Sequence, residues 1–263
     1  MSGLGGGGVK QPSVLMLAVL FMGFGVMKLT QARAEELPRY QCHRVADEIT
    51  IDGVLDERSW SEAPPITLVL WNGKGTPKRS TTAKMVWDDE NLYIGYWVED
   101  DDIQCTLTER DAPLHTEDVV EFFLDPGGDL RDYFEFEWNA LGACMDLLIK
   151  LPPVTEGGKV PPREALLGWN ACGMKWAVHV DGDIGKKGKS QGWTLEVAIP
   201  LAVFSDARRV PPKDGDEWRM NVYRIEYSDP EVEYTCWSAV LGGSVSFHRP
   251  ERFGHLVFTA RKP

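Results

Sequence analysis

Most of the chain alternates short apolar and aromatic runs with clusters of turn residues. TTAKMVW (81–87), DDEN and LYIGYWV (92–98) read as a hairpin. Its alternation puts Ala83, Met85 and Trp87 on one side, with Tyr93, Gly95 and Trp97 expected to match them on the partner strand. DVVEFFLD (118–125) and DYFEFEWN (132–139) are two more strands, joined by PGGDLR. In the second of them Phe134, Phe136 and Trp138 share one face, and Glu135, Glu137 and Asn139 the other. MKWAVHV and GWTLEVAIP flank a loop rich in glycine and lysine, and EWRMNVYRIEY and EYTCWSAVL pair across SDPEV. RFGHLVF closes the chain, with Phe253 and Leu256 expected to point inward.

About ten or more strands follow from this pattern, with helical candidates only at 55–63 and 201–204. Many short strands with turn punctuation predict an all-β chain. The expected form is one antiparallel β-sandwich of two packed sheets, jelly-roll or immunoglobulin-like. The proline-rich segment 151–168 reads as a surface loop rather than a linker, since strands of the same style resume after it.

The first 34 residues do not fit this pattern. Val14 to Met27 is an apolar run behind a basic, acid-free start, and Ala32-Arg33-Ala34 has the small-x-small form of a cleavage site. The run is shorter than the roughly 20 apolar residues of a spanning helix, so a signal peptide (1–34) is expected rather than a membrane anchor. The predicted destination is secreted, periplasmic or cell-surface, with residues 35–263 as one domain. The segment holds Lys10, Lys28 and Arg33 and no acid, so its removal leaves 25 basic against 40 acidic residues. A net charge of −15 repels phosphate backbones and anionic lipid, which argues against nucleic-acid and membrane partners. Export permits disulfides, but the five cysteines are odd in number, contain no C-x-x-C pair and could equally be buried small hydrophobes.

ITIDGVLDERSWSEA (49–63) resembles the opening signature of carbohydrate-binding module family 9 and its DOMON-like relatives. AKMVWDDENLYIGYWVED, HTEDVVEFFLDP with YFEFEWNALG, and FHRPERFGHL resemble three further blocks of that family, in order. Together they span 49–258. The resemblance implies a sandwich that binds sugar on a concave face, in support of carbohydrate breakdown and without catalysis. The carbohydrate would be its ligand and a separate glycoside hydrolase its partner.

Position by position, His115 and Phe247 stand where the family places two sugar-stacking tryptophans. Glu121 matches a carboxylate that bonds sugar hydroxyls. Glu137 stands at a position usually basic, Tyr223 at a glutamine and Ser244 at an asparagine. The chain therefore keeps the frame, replaces both tryptophans and reverses one charge. Independently of any family, sugars need rings for their C–H patches and carboxylates or amides for their hydroxyls. Alternation along the strands supplies such a face: if Phe122, Phe136, Trp138 and Val222 point to the core, then Glu121, Glu135, Glu137, Asn139, Asn221 and Tyr223 point the other way.

Trp71, Asn139 and His248 are secondary candidates for that face. Trp60, Trp87, Trp97, Trp138, Trp193 and Trp237 lie in strand or signature contexts and are expected in the core. The resemblance also implies structural calcium, for which Asp100, Asp101, Asp125 and Asp129 offer hard oxygen ligands, with solvated acidic turns as the simpler expectation. Two other readings stay open. One is a b-type haem electron-transfer domain of the same superfamily, using a Met (85, 145, 174 or 220) and a His. The other is a glycoside hydrolase with Glu121 and Glu137 as its carboxylate pair.

Overall fold

The computed structural model describes residues 36–45, 47–152, 162–227 and 230–260. The signal-peptide segment, and residues 153–161 of the proline-rich loop, lie outside the described residues. The strands in chain order are β1 (Arg39–Arg44), β2 (Ile66–Thr67), β3 (Val69–Leu70), β4 (Thr81–Trp87), β5 (Asn91–Glu99), β6 (Val119–Asp125) and β7 (Tyr133–Trp138). They continue with β8 (Cys144–Lys150), β9 (Glu164–Leu166), β10 (Lys175–Gly182), β11 (Ser190–Pro200), β12 (Glu217–Glu226), β13 (Glu233–Cys236) and β14 (Gly254–Thr259). A five-residue helix, α1 (Arg58–Glu62), and 3-10 turns at Leu114–Thr116, Leu201–Val203 and Pro250–Arg252 complete the described elements.

The strands hydrogen-bond in the order β10-β11-β5-β4-β1-β14-β12-β6-β7-β8-β9, with β13 on β12 and β3, and β2 on β4. The sandwich is therefore one curled sheet rather than two separate ones. Its turning point is β1, which pairs parallel with both β14 and β4, while every other described pairing is antiparallel. The two halves close over a shared apolar core. Met85, Ile94, Tyr96 and Leu195 come from one half, and Phe122, Phe136, Trp138 and Val222 from the other. The Tyr96 hydroxyl crosses this core and donates to the Glu121 carbonyl at 3.0 Å.

In the β4–β5 hairpin the core-facing partners of Ala83, Met85 and Trp87 are Tyr96, Ile94 and Leu92, one residue out of phase with the sequence expectation. Tyr93, Gly95 and Trp97 take the outer face, because the opening segment covers it. A Cβ on Gly95 would stand 2.8 Å from Leu55 Cδ2 and 3.3 Å from Trp60. The closing stretch is corrected in the same way. Phe253 and Leu256 enter different clusters, Leu256 the core between the layers and Phe253 a second cluster on the outer face of β12, β6, β7 and β8. Trp60, Trp87, Trp138 and Trp193 are buried, whereas Trp97 and Trp237 are half-buried. The five cysteines form no disulfide, and four of them are buried, Cys172 being exposed.

Candidate functional site

The face opposite the shared core on β6, β7 and β8 is largely roofed. Antiparallel register sets Glu121 opposite Glu137, Glu137 opposite Met145, and Glu135 opposite Leu147. These side chains point away from Phe122, Phe136 and Trp138, as alternation expects. The segment after β13 folds back over them. Asn221 holds it there, donating to the Ser238 carbonyl at 2.8 Å and accepting the Ser238 N–H at 2.9 Å. Phe247 then stacks on Tyr223, with ring centroids 4.1 Å apart, and the Tyr223 hydroxyl donates to the Phe247 carbonyl at 3.0 Å.

Between roof and sheet lies a cavity of about 550 Å³. It brings together His115, Glu121, Glu137, Phe247 and His248. His115 sits on the 3-10 turn before β6, and its position is built by carboxylates of neighbouring residues. Glu117 accepts the Thr106 N–H at 2.7 Å and the Asn139 amide at 2.8 Å. Asp118 accepts the Gln104 and Tyr227 N–H groups, both at 2.6 Å.

Four candidates lie elsewhere. Tyr223 is buried beneath Phe247 and is absent from the cavity lining. Asn139 is buried and spends its amide on Leu107, Glu117, Leu141 and Ala143. Ser244 is exposed on the loop before Phe247. Trp71 packs beside the second cluster and borders a separate cleft next to β13.

The floor of the cavity is formed by carboxylates. Glu121, Glu135 and Glu137 are 2%, 5% and 1% exposed, and each places a carboxylate oxygen within 4.8 Å of the others. Oε2 of Glu135 and Oε2 of Glu137 are buried without a hydrogen-bond partner. Burial, then the Glu135 charge, holds Glu121 well above the usual carboxylate range. Burial, then both neighbours, does the same to Glu137. Glu135 is pushed up to about 7 by burial, against the opposing pull of a hydrogen bond from Glu137 and the Arg163 charge. His248 Nδ1 stands 3.7 Å from Glu135 Oε2 and 2.9 Å from the Tyr133 hydroxyl.

The walls above are apolar: Met145, Leu147, Ile149, Phe123 and Ile225. Sequence reasoning placed Glu135 on this face without naming it among the site residues, and it left the β8 wall out. The signal was present in the alternation of Met145, Leu147 and Ile149, which the register sets against Glu137, Glu135 and Tyr133.

The aspartates proposed for calcium divide into two groups at opposite ends of β6. Asp100 bonds the buried Arg224 guanidinium at 3.0 Å and the Asp102 N–H at 2.9 Å, and Asp101 pairs with Arg79. Asp125 accepts the Gly128 and Leu130 N–H groups, and Asp129 that of Arg131. Asp100, Asp118 and Glu226 do converge, but Arg224 already supplies their countercharge. These residues do not fit a calcium cage, which needs six to eight oxygens free of a competing cation.

A curled β-sandwich with a preformed cavity, apolar above and carboxylate-floored, has the form of a small-molecule binding module. The model of carbohydrate-binding family 9 matches residues 50–258, and the chain belongs to that family. Among solved structures it resembles a candidate carbohydrate-binding protein from Bacteroides uniformis (TM-score 0.65, 19% identity, 85% of this chain and 100% of that one). It also resembles a family 9 module from Caldicellulosiruptor kristjanssonii in complex with cellotriose (TM-score 0.58, 15% identity, 85% and 95%). At these identities the likeness is one of fold. Over 85 residues, 32% of this chain, it is 34% identical to exoglucanase XynX of Acetivibrio thermocellus and 33% identical to endo-1,4-beta-xylanase A of Thermoanaerobacterium saccharolyticum. The matched stretch spans 7% of the length of either curated relative.

Proposed function

We propose that this protein is an exported module that holds a sugar, or the end of a polysaccharide, in the cavity beneath Phe247 and His248. It does so without turnover and presents the sugar to a separate glycoside hydrolase. One observation carries the reading: the family fold gathers His115, Glu121, Glu137, Phe247 and His248 around a single cavity of about 550 Å³. Rings and apolar walls take the C–H patches of a sugar, and the carboxyl groups take its hydroxyl protons. The Caldicellulosiruptor modules, solved with cellotriose and with glucose, support a sugar ligand. The curated relatives, a xylanase and an exoglucanase, support the link to polysaccharide breakdown. Export to the cell surface, periplasm or medium rests on the apolar run and Ala32-Arg33-Ala34.

The haem reading is not favoured. Met145 lines the cavity while Met85, Met174 and Met220 lie in the core, and a floor of buried carboxyl groups offers the propionates of a haem no countercharge.

Glycan arrays followed by titration calorimetry test the proposal. His115 is exposed, so His115→Ala is expected to change stability by less than about 0.5 kcal/mol. The same substitution is expected to weaken sugar binding about tenfold. Failure of the protein to bind any plant or microbial glycan would sink the proposal.

A further inference from the structure

The floor of the cavity gathers three buried carboxyl groups, more acid than a neutral sugar requires. Glu121 and Glu137 are direct cross-strand partners, and Glu135 lies two residues along the same face of β7. Ionising such neighbours is costly, because like charges opposite one another on a sheet repel and burial removes the water that would screen them. Such a cluster needs compensation from within the cavity.

Among the described residues, two basic side chains approach Glu135. His248 Nδ1 stands 3.7 Å from it, a ring already engaged with Tyr133, and Arg163 at the rim donates to the His248 carbonyl at 3.0 Å. No ion pair to Glu121 or to Glu137 is found among those residues. Glu137 and Glu135 both line the cavity, and Oε2 of each is buried without a hydrogen-bond donor. A buried acceptor without a donor is costly, so the empty site is organised to receive donors from a ligand.

We propose that the preferred ligand of this cavity is an amino sugar with a free amine, its ammonium group seated among Glu121, Glu135 and Glu137. The proposal rests on the sugar-binding reading above and narrows its ligand. An ammonium group has three N–H donors and no acceptor, and three carboxyl groups converge on one point. Its charge would favour the ionised form of these carboxyl groups, which neutral hydroxyls do not. The ring that carries it has the space of the cavity, with Met145, Leu147 and Ile149 as an apolar wall and Phe247 opposite the floor.

A bare metal ion matches the site less well. Calcium takes six to eight oxygens, whereas the walls above the three carboxylates are aliphatic and aromatic.

The test is calorimetric titration of the purified protein at neutral pH with glucosamine, glucose and N-acetylglucosamine, and with their β-1,4-linked dimers. Glucosamine is expected to bind at least about tenfold more tightly than glucose, a difference of about 1.4 kcal/mol. N-acetylglucosamine, whose nitrogen is uncharged, is expected to behave like glucose. In Glu137→Gln the preference is expected to collapse towards parity. Glu135→Gln repeats the test at a second position, and the wild-type ratio is informative even if either variant folds poorly.

Equal or tighter binding of glucose overturns the inference and leaves the sugar-binding reading standing. No binding of any of the sugars overturns both. A preference that survives Glu137→Gln and Glu135→Gln overturns the seat assigned to the ammonium. So does calcium binding that Glu137→Gln abolishes and glucosamine does not displace.

Discussion

Glu135 stands between two other carboxyl groups, and burial lifts its pKa from the ordinary 4.5 to about 7. The groups facing it are Glu121 across the strand pair, Glu137 on its own strand, His248 and Tyr133 beside it, and Arg163 at the rim. An acid whose pKa is raised on folding binds its proton more tightly in the folded state. Its contribution to stability is complete below the unfolded value and is lost as pH rises through the folded one. Asp118 and Asp125, each pushed by burial up to about 6, act with the same sign. The urea midpoint is therefore expected to be higher at pH 5 than at pH 8, and Glu135→Gln should flatten the difference. A midpoint that rises from pH 5 to pH 8 would count against this assignment. The sequence showed that Glu121, Glu135 and Glu137 share a face. It did not show that the face is roofed, and the roof is what changes their protonation.

Among the elements, the opening segment shows how a local motif acquires a distant partner. Glu196, on the outer face of β11, accepts the Trp60 indole N–H at 2.9 Å and the Asp52 and Gly53 N–H groups at 3.1 and 3.2 Å. Gly53 sits at φ +85°, where a Cβ would lie 2.9 Å from the Val178 carbonyl carbon. The D-G-x-L-D-E-x-x-W pattern was thus legible as a unit, and its glycine and tryptophan have physical reasons. Its anchor was not legible, because 136 residues separate Trp60 from Glu196. Glu196→Ala leaves three donors without their acceptor and is expected to cost about 3 kcal/mol. Glu196→Gln, which keeps an acceptor oxygen, should cost less. Urea denaturation of the two variants checks the order. A loss from Glu196→Ala no greater than that of an exposed substitution would remove the anchor.

For the whole molecule, β1 decides whether two half-sheets become one. It pairs in parallel with β14 through Tyr40↔Leu256 and Cys42↔Phe258, and with β4 through His43↔Val86 and Arg44↔Trp87. Its Tyr40 hydroxyl also donates to the Pro64 carbonyl at 2.9 Å and accepts the Met85 N–H at 2.8 Å. Removing residues 36–45 would open the edges of β4 and β14 and uncover the core between the layers. The truncated protein is expected to lose near-ultraviolet circular dichroism and its cooperative melting transition. Retention of a wild-type transition would show that β1 is dispensable. The antiparallel expectation failed only at this strand. Parallel partners need no turn between them, so they leave no local mark in the chain.

Alternation, turn chemistry and the four ordered blocks determined by themselves that the chain is all-β, that it belongs with sugar-binding sandwiches, and which side chains share a face. A period of two states which residues point the same way, and nothing more. Whether that face meets water, another layer or a returning loop depends on segments more than a hundred positions away. Tertiary structure therefore decided that Tyr223 lies buried beneath Phe247, and that Asn139 and Asn221 hold backbone. It also decided that three glutamates close together under a roof become one buried floor whose carboxyl groups hold their protons more tightly. Charge and burial act through space, and only the folded chain sets those distances.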